Sequence, residues 1–337
     1  MITSKYPWQS SVWQRLVQSR ERRHHALLLK GRNGTGKLDF AVAFAQSLLC
    51  RSPDQEGMAC GQCVSCSWFL QEGHPDYRLL TPEQDVPAEN GETAASSKKP
   101  IRKSSQISVT QVRELAGFLE LSSHQTNGMR VIVIHPADAL NQIAANALLK
   151  LLEEPPADVV FILVTSHPQR LLPTIISRCQ QVEMPAPEFD EALGWLQQQG
   201  VENASQWLAY HGGSPMAARQ DASQTGPQLD QLFHSLAQAK KLDPFISATQ
   251  FAAYGMEQAM TALQKWLYDL LAVRLTGVVR YHNQHVAALQ ALSKSVDLSA
   301  LLVFQRQVDE ARRAANHPLN NELQLEHLLL QYTRLFS

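Results

Sequence analysis

Gly31-Arg32-Asn33-Gly34-Thr35-Gly36-Lys37-Leu38 fits the phosphate-loop pattern G-x-x-x-x-G-K-[ST] at both framing glycines and at the lysine. It ends on a leucine where a hydroxyl should hold magnesium. The residues around it suit a nucleotide-binding core. Ala26-Leu27-Leu28-Leu29 is a short apolar run of buried-strand type, and Leu38 to Leu49 has helical periodicity. Strand, glycine turn and helix N-terminus together form a phosphate cradle from backbone N–H groups and the helix dipole. Gly31, Gly34, Gly36 and Lys37 are therefore predicted to form a degenerate nucleotide-binding loop.

The next segment carries four of the five cysteines. Cys50, Cys60, Cys63 and Cys66 are spaced C-x9-C-x2-C-x2-C, so four thiolates can converge tetrahedrally on zinc once the intervening loop folds back. A ferredoxin-type iron–sulfur run would place another cysteine where Leu70 stands. With no histidine or carboxylate in the set, the predicted site is structural. Gln62, Val64, Ser65, Ser67, Trp68 and Phe69 supply little of the basic and aromatic surface that a zinc-based DNA-binding module would need.

Tyr77-Arg-Leu-Leu80 reads as a short strand. From Thr81 to Gln106 the composition turns to Pro, Glu, Ser, Lys and Gly, which cannot offset ordering entropy by burial, so a mobile surface loop with a basic end at Lys98, Lys99, Arg102 and Lys103 is expected. Thr110 is then placed to cap a helix carrying Val112, Leu115, Phe118 and Leu119. Val131-Ile-Val-Ile134 suits a central parallel strand. In phosphate-loop ATPases this strand ends in carboxylates, whereas here it runs into His135-Pro136, and Asp138 reads as the cap of the following helix. That helix has an apolar stripe of Leu140, Ile143, Ala144, Ala147, Leu148, Leu151 and Leu152 and stops at Glu153-Glu-Pro-Pro156. Val159 to Val164 is a second buried-type strand.

Asn146-Ala-Leu-Leu-Lys-Leu-Leu-Glu-Glu-Pro-Pro156, Phe161-Ile-Leu-Val-Thr165 and Ser177-Arg178-Cys179 closely resemble the clamp-loader branch of the AAA+ ATPases. The four-cysteine insertion, Tyr6-Pro7-Trp8, His25-Ala-Leu-Leu28 and Gly213-Ser-Pro215 extend the likeness to bacterial clamp loaders over about the first two-thirds of the chain. The resemblance implies an α/β fold: an AAA+ parallel-sheet domain over 1–186 with a zinc module at about 50–70, a helical lid over 187–225, and an all-α collar over 226–337. It also implies that Arg178 reaches ATP on a neighbouring subunit. Read without the motif, Arg178 is a helix-end arginine favourable to the dipole. The implied partners are active AAA+ ATPase subunits and delta in a hetero-pentamer, with primed DNA and the sliding clamp met through the complex.

Three departures argue against hydrolysis by this chain itself. Leu38 lacks the hydroxyl, His135-Pro136 lacks the acids, and Met216 stands where active relatives carry a phosphate-sensing arginine. Retention of Lys37 leaves weak nucleotide binding open, and an autonomous DNA-dependent ATPase is the competing reading. A length of 337 residues predicts two or three domains, and a net charge of -1 excludes a globally basic nucleic-acid binder. The N-terminal ten residues have no signal-peptide run and no apolar stretch reaches a membrane span, so a cytoplasmic location without membrane contact is expected. Glu188 to Gln199 and Ala204 to His211 read as helices, a polar hinge follows near Gln224-Thr-Gly-Pro227, and long amphipathic helices complete the chain.

Overall fold

The computed structural model describes residues 6–20, 23–82, 106–120, 128–224, 226–314 and 321–336. Most of the loop predicted over 81–106, including Lys98, Lys99, Arg102 and Lys103, lies outside the described residues. The chain divides into two compact units, Met1–Ala186 and Pro187–Ser337.

In the first unit, strands β1 (Ala26–Lys30), β2 (Tyr77–Leu80), β3 (Arg130–Ile134), β4 (Val159–Thr165) and β5 (Gln180–Glu183) form one sheet in the order β2-β3-β4-β1-β5. Every pairing is parallel, with Leu27 opposite both Ile162 and Gln180. Helices cover both faces, which is why the inner strands are apolar at consecutive positions. Leu27, Leu29, Val131, Val133, Ile162 and Val164 join the core beneath α1 (Ser10–Gln18) and α2 (Lys37–Leu49). Leu28, Ile132, Ile134, Phe161 and Leu163 join the opposite core with α4 (Val109–Glu120), α5 (Gln142–Glu153) and α6 (Pro173–Ser177). Trp13 is wholly buried and meets Phe40 and Phe44 edge-on at 5.5 and 5.8 Å.

Both helix starts lie at other residues than the sequence predicts. Ser108, not Thr110, begins α4: its hydroxyl accepts from Gln111 N–H at 3.3 Å while its own N–H donates to the Gln111 side chain at 2.9 Å. Asn141, not Asp138, caps α5 by accepting from Ala144 N–H at 2.8 Å. The helix starts beyond Asp138 because Ala137–Ala139 forms a separate 3₁₀ turn. The apolar stripe of α5 packs on the core as predicted, with Leu140, Ala147 and Leu151 partly buried against it, except at Ile143. Ala144, Leu148 and Leu152, spaced four apart, face the sheet, and Ile143 is 65% exposed.

In the second unit the described residues form helices α7 (Phe189–Gln198), α8 (Ala204–Tyr210), α9 (Pro215–Gln224), α10 (Gly226–Ala237), α11 (Pro244–Tyr254), α12 (Met256–Thr276), α13 (Val286–Ser295), α14 (Leu298–Ala314) and α15 (Asn321–Arg334). Trp266 on α12 donates to Tyr332 Oη on α15 at 2.8 Å, and that hydroxyl donates to Leu236 O on α10 at 2.8 Å. Tyr210 on α8 packs against Phe233 and His282, with Lys265 Nζ 3.7 Å above its ring. No single helix among the described residues is long and apolar enough to cross a membrane.

Asp269 holds the turn after α12. It is fully buried and accepts from the backbone N–H groups of Arg280, Tyr281 and His282 at 2.9, 3.0 and 2.8 Å, and from His282 Nδ1 at 2.8 Å. Burial lowers the His282 pKa despite the opposing carboxylate, so the ring stays neutral with its proton on Nδ1. Asp269→Ala strands several buried donors and is expected to cost about 3 to 5 kcal/mol by urea unfolding. Asp243→Ala removes an exposed cap of α11 and serves as the control at about 1 kcal/mol. Equal losses for the two variants would show that Asp269 is not the pin of this turn.

Candidate functional site

The phosphate loop links β1 to α2 over the end of the sheet. Gly31 passes so close to β5 that a β-carbon there would lie 2.7 Å from Met184 O. Gly36 caps α2 with φ +80, and a β-carbon on it would fall 2.2 Å from Cε2 of Tyr6. Lys37, only 4% exposed, donates through Nζ to Arg32 O at 2.5 Å and to Ser166 Oγ at 3.0 Å. Burial pulls its pKa down to about 8, opposed by the charge of Asp138, so it remains mainly cationic at neutral pH. Leu38 is half-buried against the core under α1 and α2.

Among the described residues, no free carboxylate stands at the end of β3. His135 has its pKa lowered by burial and by Lys37, and its Nδ1 is buried without a partner, which marks a neutral imidazole beside the lysine. Asp138 accepts from Thr165 Oγ1 at 2.5 Å and lies 3.4 Å from His167 Nδ1. This carboxylate ties the 3₁₀ turn to the polar end of β4. The arrangement gives a cationic phosphate loop without the hydroxyl and carboxylates that hold magnesium and polarise water.

Arg178 follows α6, and its Nη1 donates to Thr174 O at 3.0 Å. Its Nη2 lies 2.6 Å from Glu153 Oε1 at the end of α5, with side-chain exposures of 35% and 47%. Arg178 is marked in the sequence by its motif, whereas its partner Glu153 lies in Glu153-Glu154-Pro155-Pro156, which has the local signature only of a helix stop. Met216 is half-buried on α9 in the second unit.

The four cysteines do come together. Cys50 follows α2, Cys63 is the N-cap of α3 (Val64–Leu70), and Cys66 lies on that helix. Their Sγ atoms lie within 4.8 Å of one another, with Cys50 to Cys63, Cys60 to Cys66 and Cys66 to Cys50 at 3.9, 4.0 and 3.7 Å. Four sulfurs about 2.3 Å from a central zinc would stand about 3.8 Å apart, so the thiols match a tetrahedral metal site and are too far apart for disulfides.

Behind this cluster runs a chain that the sequence did not disclose. Asp76 N–H donates to His74 Nδ1 at 3.1 Å, His74 Nε2 meets Ser65 Oγ at 2.8 Å, and Ser65 Oγ donates to Leu49 O at 2.7 Å. Burial lowers His74 to about 4, so its neutral ring joins β2 to α3 and the end of α2 near neutral pH. A lone histidine between glycine and proline carries no periodic signal, which is why it escaped notice.

The family model described as DNA polymerase III, delta subunit matches residues 8–188. DNA polymerase III subunit delta' of Pseudomonas aeruginosa is 35% identical, covering 98% of this chain and 98% of its own length. The protein of the same name from Escherichia coli is 32% identical, covering 97% of this chain and 94% of its own. Among solved structures, a DNA polymerase III gamma subunit-related protein from Thermotoga maritima superposes with a TM-score of 0.47 at 18% identity, covering 98% of this chain and 100% of that one.

Proposed function

We infer, from the premise that this chain belongs to the DNA polymerase III delta-prime subunit family, that it is a non-hydrolysing subunit of the bacterial clamp loader. In this reading it works in the cytoplasm at the replication fork, as a component of the DNA-directed DNA polymerase III holoenzyme. It assembles with delta and the active AAA+ ATPase subunits in a hetero-pentamer that places the sliding clamp on primed DNA. Its own part is to hold a stable loop at the end of its sheet and to present Arg178 to the ATP of a neighbour. Residues 187–225 serve as the lid and 226–337 as the collar through which subunits join. Cys50, Cys60, Cys63 and Cys66 hold a structural zinc ion that braces the segment after α2.

The observation that carries the non-hydrolysing reading is the set of partners around the loop. Lys37 bonds Arg32 O and Ser166 Oγ, Leu38 offers no hydroxyl, and Asp138 is engaged by Thr165. An autonomous DNA-dependent ATPase would need a free carboxylate beside this loop, and the described residues offer none at the end of β3. ATP turnover of the purified chain, alone and mixed with an active loader subunit, tests the assignment. The chain alone is expected to show no magnesium-dependent hydrolysis above its Lys37→Ala variant, and Leu38→Thr is expected to leave it inactive because His135 and Pro136 remain. Robust turnover that Lys37→Ala abolishes would establish the ATPase reading instead.

A further inference from the structure

Glu153 is the last residue of α5 and Glu154 is its C-cap. Two carboxylates therefore stand at the end of a helix where the dipole favours cations. The placement weakens α5, and a pair as exposed as that of Glu153 with Arg178 returns little stability. A local rule broken without a gain in stability marks a functional position.

The pair is nevertheless well anchored. Leu152 and Cys179, the chain neighbours of its two members, are buried in the same core beneath α5 and α6. Arg178 Nη1 donates to Thr174 O at 3.0 Å while Nη2 lies 2.6 Å from Glu153 Oε1. A guanidinium carries five N–H donors in a fixed fork, so these two contacts set its direction and leave the rest for another acceptor. Ile143, Asn146, Lys150 and Glu153 form the exposed face of α5, and the Arg178 side chain is itself 35% exposed beside it.

We propose that Glu153 is a positioning residue for Arg178, holding the guanidinium so that its remaining donors meet the triphosphate of a neighbouring subunit. This rests on the trans-acting reading of Arg178. A long surface side chain left alone samples many rotamers, and the entropy of ordering it would fall on the transition state. Held through Thr174 O and Glu153, the fork is ordered beforehand, so the benefit appears in turnover and not in the neighbour's affinity for ATP. The hold is geometric. An amide oxygen at the same place accepts the same hydrogen bond, whereas a carboxylate one methylene shorter does not reach.

The test is single-turnover ATP hydrolysis by a loader reconstituted from this full chain, active AAA+ subunits, delta, clamp and primed DNA, beside its affinity for a fluorescent ATP. Glu153→Ala is expected to slow hydrolysis about tenfold, against at least about 10²-fold for Arg178→Ala, with nucleotide affinity unchanged. Glu153→Gln is expected to recover to within about threefold of the wild-type rate, and Glu153→Asp to stay near the alanine level. On an Arg178→Ala background, Glu153→Ala should add no further loss, because nothing remains to be positioned. If Glu153→Ala fails to fold or assemble, the near-isosteric Glu153→Asp and Glu153→Gln pair decides the matter. Normal or faster hydrolysis with Glu153→Ala or Glu153→Asp would overturn the positioning role while leaving Arg178 in place, and so would a loss of equal size with and without Arg178. Normal hydrolysis with Arg178→Ala would remove the trans-acting reading itself and the positioning role with it.

Discussion

Arg178→Ala is expected to lower single-turnover ATP hydrolysis at the adjoining site of the assembled loader by at least about 10²-fold, since a trans-acting arginine is worth about 10³ to 10⁵ in GTPases. The chain itself should fold and assemble normally. Its pair with Glu153 is half exposed, and such surface pairs contribute about 0 to 1 kcal/mol. Catalysis loses more than stability because the guanidinium acts on charge that develops only in the transition state. Arg178→Lys should restore little, since an ammonium keeps the charge but not the planar fork that bridges phosphate oxygens. Unchanged hydrolysis and clamp loading with Arg178→Ala would reduce the residue to a helix-end charge paired with Glu153.

Replacing Cys60 or Cys63 by serine is expected to abolish binding of one zinc ion per chain. Structural zinc sites gain about 10 to 16 kcal/mol on metal binding at neutral pH, so one lost thiolate removes most of the hold on this segment. Unfolding should be confined to about residues 50–70, seen as rapid amide exchange there, while the core beneath α1 and α2 stays protected. Acidification should favour release, because each ligand must lose its proton to bind. Elemental analysis that finds iron with sulfide, or no metal in protein purified without chelator, would reject the site.

The sheet's inner strands were legible because burial on both faces leaves no polar position to confuse the reading. Ala26 to Leu29, Val131 to Ile134 and Val159 to Val164 all became strands within a residue of their predicted ends. The edge strand β5 was missed for the converse reason: in Gln180-Gln-Val-Glu183 only Val182 is buried, and the strand is defined by its partner β1. The phosphate loop and the cysteine cluster were visible as spacing, since both chemistries fix residue types at set intervals. Their supports were not. Ser65, His74 and Glu153 act through contacts with distant segments, and nothing local distinguishes them from other polar residues. The caps failed by two or three residues because Ser, Thr, Asn and Asp compete for the same role, and backbone geometry selects among them.

The register of the sheet also sets a schedule for synthesis. Leu27, Leu28 and Leu29 emerge from the ribosome early, yet their partners Ile162, Leu163 and Val164, and then Gln180 to Val182, are among the last residues of the first unit to be made. Until then the strand of the phosphate loop has neither neighbour, and long-range parallel pairing is slow to form. The cysteine cluster closes over a short span and can form while the sheet is still incomplete. A nascent chain stalled before Val159 therefore carries a closed cysteine cluster beside an apolar strand with neither neighbour, and aggregation during synthesis is expected to be greatest in that interval.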